Sequence, residues 1–91
     1  MANITTKTVG STWVTFEDLI GVTPDPAITY TLQNRGSHDI IMFEGSTPDP
    51  SDDSGEILKA GSSKIGYEVG TDTLYLRTYN DSSLLDVEDN N

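Results

Sequence analysis

Turn residues cut the chain into short pieces, and within those pieces apolar and polar side chains alternate every second residue. "AITYTLQN" sets Ile28, Tyr30 and Leu32 against Thr29, Thr31 and Gln33. "KIGYEV" sets Ile65, Tyr67 and Val69 against Lys64, Gly66 and Glu68, and "TLYLRTY" sets Leu74, Leu76 and Thr78 against Tyr75, Arg77 and Tyr79. A period of two is what a strand with one buried face requires. "TWVTF", "IIMFE", "EILKAG" and "LLDVE" add shorter runs, and Gly, Pro, Asn and Asp separate them all. No window sustains a helical period; the one weak helix candidate is "FEDLIG", which leads into a proline loop. Six to seven short strands of this kind predict an all-β chain, folded as a single small antiparallel β-sandwich or β-barrel.

A chain of 91 residues makes one domain with a core of roughly a dozen to twenty side chains. We divide it into an extended N-terminal arm at 1–11, a β domain at 12–88 and an acidic, flexible tail at 89–91. The arm is polar and threonine-rich, with little apolar besides Ile4 and Val9, so it cannot offset its own ordering entropy without outside contacts. It reads as a docking arm. Added to a partner's sheet edge, its backbone would supply affinity, Ile4 and Val9 would fill alternate pockets, and Lys7 would meet an acidic neighbour.

Fifteen acidic residues against five basic ones give a formal net charge of −10. Such a surface repels phosphate backbones and anionic lipid, so neither nucleic acid nor membrane is expected as a partner. There is no cysteine, which excludes disulfides and thiolate metal sites. No apolar run approaches the ~18 residues of a membrane span, and "MANITTKTVG" lacks the apolar region of a signal peptide, so a soluble protein is expected.

"TPDP" occurs twice, at residues 23–26 and 47–50, each time shortly after a glycine. Aligning the two copies pairs Ile28 with Asp52 and Tyr30 with Ser54, setting core positions against solvent positions, so a duplicated unit is excluded. Proline fixes its own φ and pushes the preceding residue towards extended conformations, which makes each copy a stiff loop unfit for a central strand. The acidic run "DPSDDSGE" offers Asp49, Asp52, Asp53 and Glu56, but its spacing departs from a calcium loop, and no metal is expected there. His38 beside Asp39 invites a search for a nucleophile, yet no serine stands in a strand-turn-helix elbow. Neither a catalytic residue nor a cofactor site is expected. The outward set Tyr75, Arg77 and Tyr79, together with Trp13, carries the residue types that dominate protein interfaces.

From Tyr30 onward the chain resembles small virion structural proteins of tailed bacteriophages. The stretches that carry the resemblance are "YTLQNRGSHDIIMFEGSTPDP" and "GEILKAGSSKIGYEVGTDTLYLRTYN", covering roughly residues 27–80. A strand ends in Gln-Asn, a strand near Ile40 leads to a Pro-Asp loop, a short aliphatic strand holds Ile57 and Leu58 before Gly61, and a strand of the "LYLRT" kind follows. The resemblance implies a capsid decoration or cement protein bound to the major capsid protein on the virion exterior, a trimer once docked, with no enzymatic activity. A neck- or tail-associated virion protein is the alternative position. A small carbohydrate- or cell-surface-binding module, with Trp13 or Tyr75 stacked on sugar rings, is the alternative class.

Overall fold

The computed structural model describes residues 2–49 and 55–90, with side chains from residue 6 onward. Eight strands and one short helix follow in the order β1 (Ala2–Val9), β2 (Val14–Thr15), α1 (Phe16–Ile20), β3 (Thr29–Asn34), β4 (Ile40–Gly45), β5 (Glu56–Leu58), β6 (Ser63–Glu68), β7 (Thr73–Thr78) and β8 (Ser83–Asp89). They form two antiparallel four-stranded sheets, ordered β1-β8-β3-β6 and β2-β7-β4-β5. The chain changes sheet at every step except from β4 to β5, the only hairpin between sheet neighbours among these strands. This strand order is that of a jelly roll, a sandwich of two interlocked Greek keys. Of the all-β sandwich or barrel expected from the alternation, the sandwich is what forms. No helix among the described residues is long and apolar enough to cross a membrane.

Between the sheets lie Val9, Leu32, Ile40, Met42, Leu58, Leu74, Leu76, Leu85 and Val87. Helix α1 adds Phe16, Leu19 and Ile20, packing against β1, β2 and β7. Its start is fixed by Thr15, whose hydroxyl accepts the Asp18 N–H at 3.1 Å, and its end by Gly21 in the left-handed region at φ 79°. The Phe16 ring meets Tyr30 and Tyr67 edge-on, at centroid distances of 5.4 and 5.8 Å, so one aromatic trio joins helix, β3 and β6. On the far side, Lys64 of β6 reaches Glu56 of β5 at 2.9 Å and ties the two sheet edges together.

Three expectations change. The segment expected as a free arm is an edge strand: β1 pairs along β8, and Val9 is completely buried. Its polar composition is that of an edge strand with one exposed side rather than of a chain without contacts. The expected tail is likewise structured as far as it is described. Asp89 closes β8, and Asn90 donates its backbone N–H to the Thr29 carbonyl and its side-chain amide to the Thr29 hydroxyl. Asn91 lies outside the described residues. Finally, Ile65, read as inward-facing, is 78% exposed. Tyr30 pairs with Tyr67 and Leu32 with Lys64, so two residues of β6 oppose the single Thr31 of β3. This bulge, with Gly66 at φ 75°, breaks the alternation and turns Ile65 outward.

Asn34, at the end of β3, is fully buried and uses every polar group it has. Its side-chain amide donates to the carbonyls of His38 and Leu58 at 2.8 and 2.9 Å. Its Oδ1 accepts the Gly36 N–H at 3.1 Å and the Ser83 hydroxyl at 2.7 Å. Gly36 is required beside it, because a Cβ there would overlap the Ser83 hydroxyl and the Leu84 backbone nitrogen.

Two outcomes follow for stability. Asn34→Ala takes the amide partner from the buried Leu58 carbonyl and Ser83 hydroxyl and from the part-buried His38 carbonyl and Gly36 N–H, and should cost about 3 kcal/mol in urea unfolding. Deleting residues 2–9 removes Val9 and bares β8; the truncated chain should lose cooperative thermal melting, whereas a melt like that of the full chain would mean that β1 contributes nothing to the fold.

Candidate partner-binding surface

The residues expected to meet a partner separate into three places. Trp13, Tyr75 and Arg77 come together on the outer face of the β2-β7-β4-β5 sheet. Register brings them there: Phe43 is the cross-strand partner of Tyr75, and Ile41 that of Arg77. The Arg77 guanidinium lies over the Trp13 ring at 5.0 Å and donates to the Thr78 carbonyl at 3.1 Å. Trp13 also meets Phe43, with centroids 6.3 Å apart.

The second TPDP loop covers this face. Pro48 is buried, the Trp13 indole N–H donates to the Asp49 carbonyl at 2.9 Å, and the hydroxyls of Thr47 and Tyr75 share a hydrogen bond of 2.9 Å. Beneath it Ile41 is fully buried and Arg77 is only 4% exposed. Arg77 is therefore a packing residue, not a surface contact, with its guanidinium held over the Trp13 ring. Trp13 and Tyr75 remain half-buried, with Ile57 exposed on β5 at the far edge of the sheet. The first TPDP copy does something different. There the Asp25 N–H donates to the Tyr30 hydroxyl at 2.8 Å, and the Asp25 carboxylate accepts the Ala27 N–H at 2.8 Å in a local turn.

The second place is the edge of β1. Val9 points into the core and is removed from the set of partner contacts; the side chain of Ile4 lies outside the described residues. Lys7 is exposed and forms no ion pair among the described residues. The third is the end of the sandwich, where Tyr79 follows β7 and stands apart from Tyr75 and Arg77.

His38 is held in its turn. Its Nδ1 donates to the Ser82 carbonyl at 2.9 Å, so this nitrogen cannot take a proton from the Ser37 hydroxyl 3.4 Å away. Asp39 accepts the Ala60 N–H at 2.9 Å. Among the described residues no group of three or more His, Asp or Glu side chains is arranged to hold a metal ion, and Asp52 and Asp53 lie outside them.

A cleft of about 300 Å³ opens between β4, β5 and β6, lined by Met42, Glu44, Glu56, Lys64, Tyr67 and Leu74 among others. In it the Tyr67 hydroxyl donates to Glu44 at 3.5 Å. Burial, and then the Glu44 charge, push the Tyr67 phenol up to about 12. The residue that sequence reasoning missed is Asn34. Its signal is the pair Asn34 and Gly36 at the end of an alternating run, which marks a turn but not what the amide will reach.

Comparison of the chain with protein-family models, with curated proteins and with solved structures found no match.

The Tyr67 shift has a measurable consequence. The folded state holds a proton that the unfolded chain gives up near pH 10, so this contribution is whole below pH 10 and is lost as pH rises towards 12. Ultraviolet titration should show Tyr67 ionising late, and Tyr67→Phe should remove both that step and the associated alkaline fall in stability.

Proposed function

We propose that this protein is a non-enzymatic structural protein of a tailed-phage virion: a capsid decoration protein on the virion exterior that binds the outer surface of the major capsid protein and stabilises the head. The observation that carries the reading is the free edge of β1. Of the four sheet edges, β2 has two residues, β5 has three, and β6 is broken by the Gly66 bulge with its lysine tied to Glu56. Short or bulged edges resist further pairing. The edge of β1 runs for eight residues, and its register with β8 is regular from Thr5 to Val9.

Residues 2–11 contain no acid, and Lys7 stands exposed among them, so the edge strand itself sets no carboxylate against an incoming segment. An extended segment of the capsid protein carrying a carboxylate opposite Lys7 fits it, with backbone hydrogen bonds supplying affinity. A charged lysine on the edge strand discourages pairing with segments that lack the acid. The resemblance over residues 27–80 supports the same reading, as does an acidic surface suited to the outside of a DNA-filled shell. On the shell the protein acts as a trimer, and docking adds stability to both partners.

Binding to empty heads prepared from phage lacking the protein tests this. The full chain should decorate the whole shell, with β1 amides protected from hydrogen exchange after docking. Lys7→Glu should weaken binding by about five- to tenfold, while Lys7→Arg should not. Label confined to one vertex would place the protein at the neck or tail, and heads that bind none would overturn the reading.

A further inference from the structure

At one end of the sandwich the β3–β4 turn meets the β7–β8 turn, because Ile40 and Thr78 are partners in the β4–β7 ladder. Their meeting leaves a cleft of about 230 Å³ lined by Ser37, His38, Asp39, Tyr79 and Asn80. We propose that this cleft is a subsite for a neutral hexopyranose, with the Tyr79 ring as a stacking platform and the Asn80 amide and Asp39 carboxylate bonding ring hydroxyls. The assignment does not depend on binding to a shell and uses none of the β1 residues.

Tyr79 is the first reason. The other tyrosine hydroxyls are engaged: Tyr30 accepts from Asp25, Tyr67 donates to Glu44, and Tyr75 shares a bond with Thr47. Tyr79 alone has no hydrogen-bond partner among the described residues, and 44% of its surface is open to solvent. An aromatic ring left outside the core, facing a cleft, offers its flat apolar face to the C–H face of a sugar. The cleft's volume lies below that of a drug-sized pocket and is on the scale of one ring.

The walls are the second reason. His38 is pinned by the Ser82 carbonyl and Asp39 by the Ala60 N–H. On the opposite turn Asp81 holds φ at 65°, the one non-glycine residue in the left-handed region among the described residues, and its carbonyl accepts the Thr78 hydroxyl at 2.9 Å. A cleft whose walls are already fixed loses little conformational freedom on binding. The amide and carboxylate provide both donors and acceptors for hydroxyls. Charge then selects the class. Asp39 lines the cleft, Asp81 stands 3.8 Å from the His38 ring at its edge, and no lysine or arginine is among the lining residues, so neutral sugars are favoured over sialic and uronic acids.

The test titrates the ¹⁵N-labelled full chain separately with galactose, glucose and N-acetylglucosamine, with N-acetylneuraminic acid as the charged control. At least one neutral sugar should bind with a dissociation constant on the order of 1 mM, as one ring of about a dozen heavy atoms allows. The shifts should fall at residues 37–39 and 79–81. Tyr79→Ala should weaken binding about fivefold or more, and Tyr79→Phe, which keeps the platform, should retain it. Asn80→Ala, an exposed change in a turn, should also weaken binding and serves if Tyr79→Ala does not fold. Silence with all three neutral sugars, shifts outside the cleft, undiminished binding by both Tyr79→Ala and Asn80→Ala, or preference for the charged sugar would each overturn the proposal.

Discussion

Asn34 joins pieces of chain that would otherwise have no reason to stay together. Its amide reaches Leu58 in the opposite sheet and His38 in the next turn, while its oxygen holds Gly36 and Ser83. Its backbone N–H donates to Ser62 and its carbonyl accepts from Gly61, so the β5–β6 connection is fastened to the same residue. A hydrophobic core is tolerant of small slips, because any apolar surface will do. A fully satisfied buried amide is not, because each of its bonds has a length and a direction. The net worth of these bonds is modest, but the cost of leaving them unmade is large, and that asymmetry fixes how the two sheets sit at this end.

Alternation made most of the sandwich legible before any coordinates. The inward sets in β3 and β7 came out as read, with Leu32, Leu74, Leu76 and Thr78 all buried. It failed where one residue breaks the period. The extra residue at Ile65 and Gly66 is invisible to a pattern that assumes strict pairing, because a bulge is a relation between two strands. It failed too at β1, whose polarity resembles that of a disordered arm and whose partner, β8, lies at the other end of the sequence. Arg77 and Tyr79 show the same limit at the candidate surfaces. Both fall on the outward side of the run, but whether a loop will cover that side depends on where residues 46–49 travel. That the turn holding Asp39 would meet the turn holding Tyr79 was legible only once β4 and β7 were known to be neighbours.

The two TPDP copies illustrate how little a shared motif commits a chain to a shared role. Both are stiff, and both expose proline-flanked backbone unfit for a ladder. One uses its aspartate N–H to hold the hydroxyl of a core tyrosine, and the other buries Pro48 and offers the Asp49 carbonyl to an indole. What the motif supplies is stiffness, and the partners come from the surroundings.

The strand order also governs when the molecule can become itself. β1 is made first and pairs only with β8, which is made last, and β8 then fills the gap between β1 and β3. Until it arrives, the β1-β8-β3-β6 sheet is two separated pieces, and Val9 has no cover from that side. Contacts between residues so far apart in the chain are slow to form, since the loop must close before they stabilise anything. A nascent chain on the ribosome therefore carries an unpaired, threonine-rich strand until β8 has been made. The lysine in that strand bears on that interval as well as on the finished fold, since the unpaired strand must not find a neighbouring chain first.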